Sequence, residues 1–285
     1  MDGRAAAISK PIVLITNDDG IDAPGLRFLV DVLVATDCYR VLVCAPASDQ
    51  SGVSHSITWR HALSAKRVEI EGATAFAVSG TPADCASLGI SGKLFDGVIP
   101  DLVISGINIG CNCGYHMMGG KSTVNDLKLA AEVCLPVINS VLTELKNKTY
   151  PEGSFLNIDV PTDVAHHKGF KITKQGKYMI RIGWEQTNIN APSMESYQTA
   201  HIDVDMTPGS EMNASVPVES HLLFKRVSSK IKIEEDEAED TDHKALQEGY
   251  ITITPLGALS HTEADAMPYF QDWLLHLADY STSSL

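Results

Sequence analysis

Residues 11–25 read PIVLITNDDGIDAPG. The segment PIVLITN (11–17) is a short, nearly continuous apolar run, the pattern of a parallel strand buried on both faces. It stops in the turn formers of DDGIDAPG, where Pro24 suits the first turn of a helix and Asp22 lies close to its cap. Leu26, Leu29, Val30, Leu33 and Val34 then fall at i, i+3, i+4, i+7 and i+8, one face of a helix. RVLVCAP (40–46) is a second buried strand. Strand, helix and strand within about 35 residues make a βαβ unit, whose crossover is expected to be right-handed.

SDQSGVSHS (48–56) is a polar loop directly after the second strand, and β-rich patches within 57–80 predict a hairpin or extra strands. TPADCASLGI (81–90) starts a helix with Pro82 in its first turn, and DLVISGIN (101–108) is another buried strand. From Val124 the pattern is helical, through Leu127, Ala130, Ala131, Cys134, Ile138, Val141, Leu142 and Leu145, with a kink expected at Pro136. Strands are expected within 154–161, 169–176, 178–184, 221–227 and 250–257. Residues 185–220 show little periodicity, EEDEAEDTD (234–242) reads as a solvated acidic loop, and Thr262 with Asp265 resembles a capping box. Phe270, Trp273, Leu274 and Leu277 form the stripe of a last helix. The expected architecture is α/β: a Rossmann-like parallel-sheet core over residues 1–150, then a mixed α+β extension over 151–285.

Composition narrows the functional classes. Apolar residues are 44% of 285, enough for a sizeable core, and the formal net charge is −14. That charge argues against nucleic acid or an anionic membrane as partner, but leaves open a small anionic substrate, because a bound metal reverses the local sign. The N-terminus lacks an apolar run fit for a signal peptide, and no stretch approaches the roughly 18 apolar residues of a membrane span. The six cysteines all lie in the first half; Cys44 on a strand-like run and Cys134 on a helical stripe read as buried thiols of a reducing compartment. A cytoplasmic location follows, and the sequons at Asn147 and Asn213 then carry no meaning.

In open α/β sheets, ligands bind outside the carboxyl ends of the strands. Three polar groups sit at such ends: Asn17-Asp18-Asp19, Ser51-Gly52, and Ser105 to Asn108. Asp18 and Asp19 could merely cap turns. With a Ser hydroxyl and an Asn carbonyl beside them, however, they make an all-oxygen set for a hard cation, Mg²⁺, Mn²⁺ or Ca²⁺. Such a site takes phosphate oxygens as further ligands.

Other chemistries fit less well. GGKST (119–123) looks like the end of a phosphate loop, but G-x-x-x-x-G-K-[ST] counted back from Gly120 needs Gly at 115, which is Tyr115. A D-x-D nucleophile pattern fails at Asn17. CNC (111–113) with His116 lacks the second ligand pair of a structural zinc site, and His55, His61 and His261 have no identifiable partner.

TNDDGIDAPG, SDQSGVSHSIT, SGTPADC (79–85) and DLVISGINIGCNCG, in this order over about 100 residues, resemble the signatures of the SurE (survival protein E) family, and the second half resembles its longer plant-type members. That resemblance implies a metal-dependent nucleotidase that removes the phosphate of nucleoside monophosphates, 5′ or 3′. It implies metal ligation by Asp18, Asp19, Ser51 and Asn108, with Asp19 or Asp18 accepting a proton in catalysis. Asn17, Gly52, Ser54 and Asn108 would lie near the phosphate. One Mg²⁺ or Mn²⁺ per subunit and a homodimer or homotetramer, formed through an exchanging C-terminal extension, are implied with it. After GYH (114–116) the family continues with a Tyr-Ser-Gly-Thr loop, a helix and a strand; here the chain runs through MMGGKSTVND to the next helix, so about one helix-plus-strand is missing after about residue 118. A non-catalytic member that binds metal or nucleotide, or oligomerises without turnover, is the alternative function.

Overall fold

A computed structural model of the chain describes residues 9–108, 112–113, 124–177, 181–187, 223–229 and 240–257. Two compact units emerge, residues 1–177 with 236–285, and residues 178–235.

In the first unit the apolar run becomes β1 (Ile12–Thr16), followed by α1 (Pro24–Ala35) and β2 (Arg40–Pro46). β1 and β2 pair in parallel, Ile12 opposite Arg40, as the βαβ expectation requires. β3 (Ala65–Ile70) and β4 (Ala73–Val78) form the expected hairpin, with β4 parallel to β2. With β5 (Leu102–Ser105) on the other side of β1, the sheet order is β3-β4-β2-β1-β5.

The runs are continuous because both faces are covered. Alternate strand residues point to opposite sides. Val13, Ile15, Val41 and Val43 pack with Leu26, Leu29, Val30 and Leu33 of α1, while Leu14, Leu42, Cys44 and Val78 pack with Cys85 and Phe95 on the other face. After β5, the helix expected from Val124 spans Val124–Asn147, adds Ala131 and Ile138 to the first face, and runs through Pro136 as one helix.

Helix α1 starts differently from expectation. Ala23 occupies its cap position without a side-chain bond, and the Asp22 carboxylate pairs with Arg27 at 2.7 Å. Helix α2 (Pro82–Ile90) has the fuller cap: Thr81 Oγ1 accepts from the Asp84 N–H, and Asp84 Oδ2 accepts from the Thr81 N–H. Asp84 also accepts from the Thr58 N–H through both oxygens at 3.1 Å. Burial pushes its carboxyl up, but the hydrogen bonds from Thr58 and Thr81 outweigh this and hold it below the ordinary range. A depressed folded-state value stabilises above the unfolded value and is lost as pH falls through the folded one. Asp84→Ala is therefore expected to cost about 1–2 kcal/mol at neutral pH. In urea titrations the gap to the unsubstituted protein should shrink as pH falls below 3.8.

A second sheet in this unit has the order β6-β10-β7, from β6 (Ser154–Asp159), β7 (Phe170–Ile172) and β10 (Ile251–Gly257). β10 is antiparallel to β6 and parallel to β7. Of the acidic stretch, Asp240 pairs with Lys174 at 2.7 Å, and Asp242 opens a short helix (Asp242–Gln247) and accepts from the Gly176 N–H; its earlier residues lie outside the described ones. So do the capping box at Thr262 and the stripe at 270–277.

β5 and β6 each stand at the edge of their sheet, and both line one cavity of about 860 Å³. Leu102, Ile104, Leu156, Ile158, Leu127 and Cys134 give it an apolar wall, and Asn108 also lines it. Among the described residues, these two strand edges on one apolar cavity have no ladder partner there, an arrangement that folded sheets ordinarily avoid.

The second unit contains an antiparallel pair, β8 (Arg181–Thr187) and β9 (Leu223–Ser229), with Arg181 opposite Ser229. Trp184 and Phe224 are exposed on it.

Candidate active site

The site is built where β1, β2 and β5 end. Parallel register places Thr16 opposite Ser105, so the residues after both strands emerge side by side, about 4.8 Å apart. The Gly106 N–H donates to the Thr16 carbonyl at 2.9 Å, and the Gly106–Ile107 peptide is cis. From the other side, the Gln50 N–H donates to the Asp18 carbonyl at 2.8 Å and the Ile21 N–H to that of Pro46 at 2.8 Å. The three polar groups expected to converge are thus tied to β1 by backbone bonds.

Asn17 holds the turn. Its side chain is fully buried; Nδ2 donates to the Gly20 carbonyl at 3.0 Å and Oδ1 accepts from the Gly20 N–H at 3.1 Å. Gly20 has φ +101°, which a side chain would resist, and an added Cβ would lie 3.1 Å from the Ser48 carbonyl carbon. This closed turn fixes the backbone that leads into Asp18 and Asp19.

Asp18 and Asp19 are both partly buried. Burial pushes the Asp18 carboxyl above its usual range and the nearby Asp49 adds to this, against backbone hydrogen bonds that pull it down. Asp19 is likewise raised, by burial and then by the Asp18 charge, despite a hydrogen bond from Ser51 Oγ at 3.3 Å. Asp18 Oδ1 and Asn108 Oδ1 are buried without a hydrogen-bond partner, as is Thr16 Oγ1 at the same sheet edge. Buried oxygens ordinarily find a donor. Orphaned acceptors at the paired ends of β1 and β5, with two carboxylates that resist ionising after β1, are what a bound cation would satisfy.

The donor set fits a hard cation. Among the described residues no group of three or more His, Cys, Asp or Glu side chains is placed to hold a metal ion, so a cation here would rest on two carboxylates and neutral oxygens. Mg²⁺ and Mn²⁺ accept such ligands and complete their shells with water or phosphate oxygens. Cys113, of the cluster weighed for zinc, is buried and hydrogen-bonds Asp159; Cys111 and His116 lie outside the described residues, as does GGKST.

Ser51 and Gly52 lie exposed on the loop after β2. Gly52 has φ +85° and open space where a side chain would be. Ser54, with φ +56°, has its hydroxyl 3.0 Å from His55 Nδ1. Sequence reasoning does not single out Asp49, which acts on both carboxylates and whose Oδ1 accepts from the Ser51 N–H at 2.8 Å. The D-x-S spacing of an Asx turn is its one sequence signal.

Comparison with known proteins bears on this arrangement. Residues 13–125 match the family model described as Survival protein SurE. A 5′-nucleotidase SurE of Kosmotoga olearia is 32% identical over 283 residues, covering 92% of this chain and 98% of its own. One from Flavobacterium psychrophilum is 30% identical over 94% of this chain and all of its own. That alignment runs to 291 positions, more than the 285 residues of the whole chain, so the relative has residues with no counterpart here. The crystal structure of SurE protein from Aquifex aeolicus shares the fold, with a TM-score of 0.64 at 24% identity over 92% of this chain and 99% of that one.

Proposed function

The chain belongs to the SurE family, and from that premise we propose that it is a divalent-metal-dependent phosphomonoesterase hydrolysing nucleoside monophosphates. The observation that carries this is the pair of orphaned oxygens, Asp18 Oδ1 and Asn108 Oδ1, on the segments that follow the paired strands β1 and β5, with burial favouring protonation of Asp18 and Asp19.

Asp18, Asp19, Ser51 and Asn108 would hold one Mg²⁺ or Mn²⁺, which supplies charge neutralisation at the phosphoryl oxygens and acidifies water in its shell. Asp19 takes the proton of the attacking water; a raised carboxyl is better matched to that task than an ordinary one. Gly52, free of any side chain, lets the phosphate approach the loop backbone, and the Ser54 hydroxyl and the Asn108 amide lie on the same edge. Asn17, committed twice to Gly20, fixes the backbone that leads into both carboxylates.

Two measurements test the site. Release of phosphate from 5′-AMP and from 3′-AMP decides activity and position together. Mn²⁺ should raise the melting temperature of the unsubstituted protein and leave Asp18→Asn unmoved. The sign with pH follows from the raised carboxyls. Their folded state binds more protons than the unfolded one, so cation-free stability falls as pH rises from 3.8 through the folded values. The stabilisation by Mn²⁺ should therefore be larger at pH 7 than at pH 4. Equal shifts at both, or a shift retained in Asp18→Asn, would place the cation elsewhere.

One observation favours the second function, cation and nucleotide binding without turnover. The cavity between the edges of β5 and β6 has room for the helix-plus-strand that the sequence resemblance expects after about residue 118, and Asn108 lines it. A folded chain that binds AMP and Mn²⁺ but releases no phosphate would establish it.

The cytoplasm is the proposed location. The described cysteines 38, 44, 85 and 134 are free thiols, and no helix among the described residues is long and apolar enough to cross a membrane. A homodimer or homotetramer is proposed on the exposed Trp184 and Phe224 of the β8–β9 pair.

A further inference from the structure

Trp59 is 84% exposed, the most exposed of the large apolar side chains on the described chain, and Ile57 beside it is 57% exposed. A bare indole is costly to leave in water, since aromatic rings supply much of the apolar area that folding removes. Its backbone is nevertheless held. The Thr58 N–H lies against both oxygens of Asp84, and Thr81 Oγ1 donates to the Ser56 carbonyl at 2.7 Å. On the far side, the Ser64 N–H donates to Ser79 Oγ and the Ser79 N–H to the Ser64 carbonyl, both at 2.9 Å. The ring is thus carried on a stem pinned at both ends to the start of α2 and the end of β4.

Position gives this a meaning. The segment from Ala47 to Ser64 runs along the carboxyl edge of the sheet, from the end of β2 to the start of β3, which pairs with the end of β4. It holds Ser51 at one end, against Asp19, and Trp59 toward the other, over α2. Strand order places β4 two strands from β1, about 10 Å across the edge. That offset is comparable to the reach of a nucleoside monophosphate from phosphorus to base. Arg60 and His61, both exposed, flank the ring in a chain otherwise strongly acidic.

We propose that Trp59 is a specificity-determining residue, the platform on which the nucleobase stacks while the phosphate sits at Asp18, Asp19 and Ser51. This rests on the nucleotidase function proposed above. Stacking tolerates every base, because each has a π-face, so the expected selectivity is for nucleotides over simple sugar phosphates, with little choice among bases.

The test compares 5′-AMP with ribose 5-phosphate, which carries the same phosphate and sugar without a base. Binding is measured calorimetrically on the full chain with Mg²⁺, and KM and kcat are measured in parallel. The unsubstituted protein should bind AMP about tenfold more tightly than ribose 5-phosphate. Trp59→Ala should abolish that preference by raising the dissociation constant and KM for AMP alone, with kcat for ribose 5-phosphate unchanged. Trp59→Phe should keep most of it. An AMP preference retained by Trp59→Ala overturns the proposal, and if the variant also changes molecular mass in solution the ring is a subunit contact. Failure of the unsubstituted protein to bind either phosphate overturns the nucleotidase function, and the proposal with it.

Discussion

Asp19→Asn is expected to lower kcat for AMP hydrolysis by about 100-fold or more, with the fold intact. Asparagine keeps the shape of the side chain and can still accept from Ser51 Oγ, so the link between the loop after β2 and the end of β1 survives. What is lost is the negative charge and the proton acceptor. The charge of Asp18 raises Asp19, and repulsion between two carboxylates is mutual, so Asp18 should ionise more readily in the variant. For that reason cation binding should weaken less than turnover falls. Saturating Mn²⁺ should restore occupancy but not rate, which separates the proton-accepting role from ligation. Steady-state kinetics across a Mn²⁺ titration, with circular dichroism to verify folding, gives the answer. A kcat within twofold of the unsubstituted protein would remove Asp19 from catalysis.

Gly25→Ala is expected to damage the site from behind. An added Cβ would lie 1.9 Å from the Ile107 carbonyl oxygen and 2.9 Å from its carbonyl carbon. Both atoms are backbone, so no rotamer change relieves the clash; the first turn of α1 and the segment after β5 must separate. Overpacking of this kind costs about 1–3 kcal/mol. The functional loss should exceed what that implies, because Asn108 follows Ile107 and would be carried away from Asp18. Turnover should fall by more than about tenfold while the protein remains folded at 25 °C. Denaturation midpoints and kcat measured on the same preparation check both parts. Unchanged activity would mean that Asn108 does not need its present position.

The start of the fold is legible because β1 and β2 are buried on both faces and the turn between β1 and α1 is rich in Gly, Asp and Pro, so periodicity and punctuation agree from Ile12 to Pro46. The edge of the sheet that would carry chemistry is legible for the same reason, since strand ends can be read wherever strands can. Contacts made only in three dimensions are not. Asp22 has the look of a cap but reaches Arg27 instead. Gly25 reads only as one of the turn formers of DDGIDAPG, and the approach of Ile107 shows why a larger residue is excluded. Asp84 reads as part of a helix start, yet it also anchors Thr58 and with it the stem of Trp59. Asn17 can be placed beside the phosphate from the motif, whereas its amide is engaged at both atoms by Gly20. In the second half, strands such as β7 are three residues long and half-exposed, too short for periodicity to mark their limits.

The most direct measurement is phosphate release from AMP by the full chain, followed with Mn²⁺ or Mg²⁺ present, after EDTA, and after the cation is restored. Release that stops with EDTA and resumes with excess Mn²⁺, in the unsubstituted protein but not in Asp18→Asn, is the predicted result. Release that EDTA leaves untouched, or that Asp18→Asn retains in full, would contradict a cation held at the ends of β1 and β5.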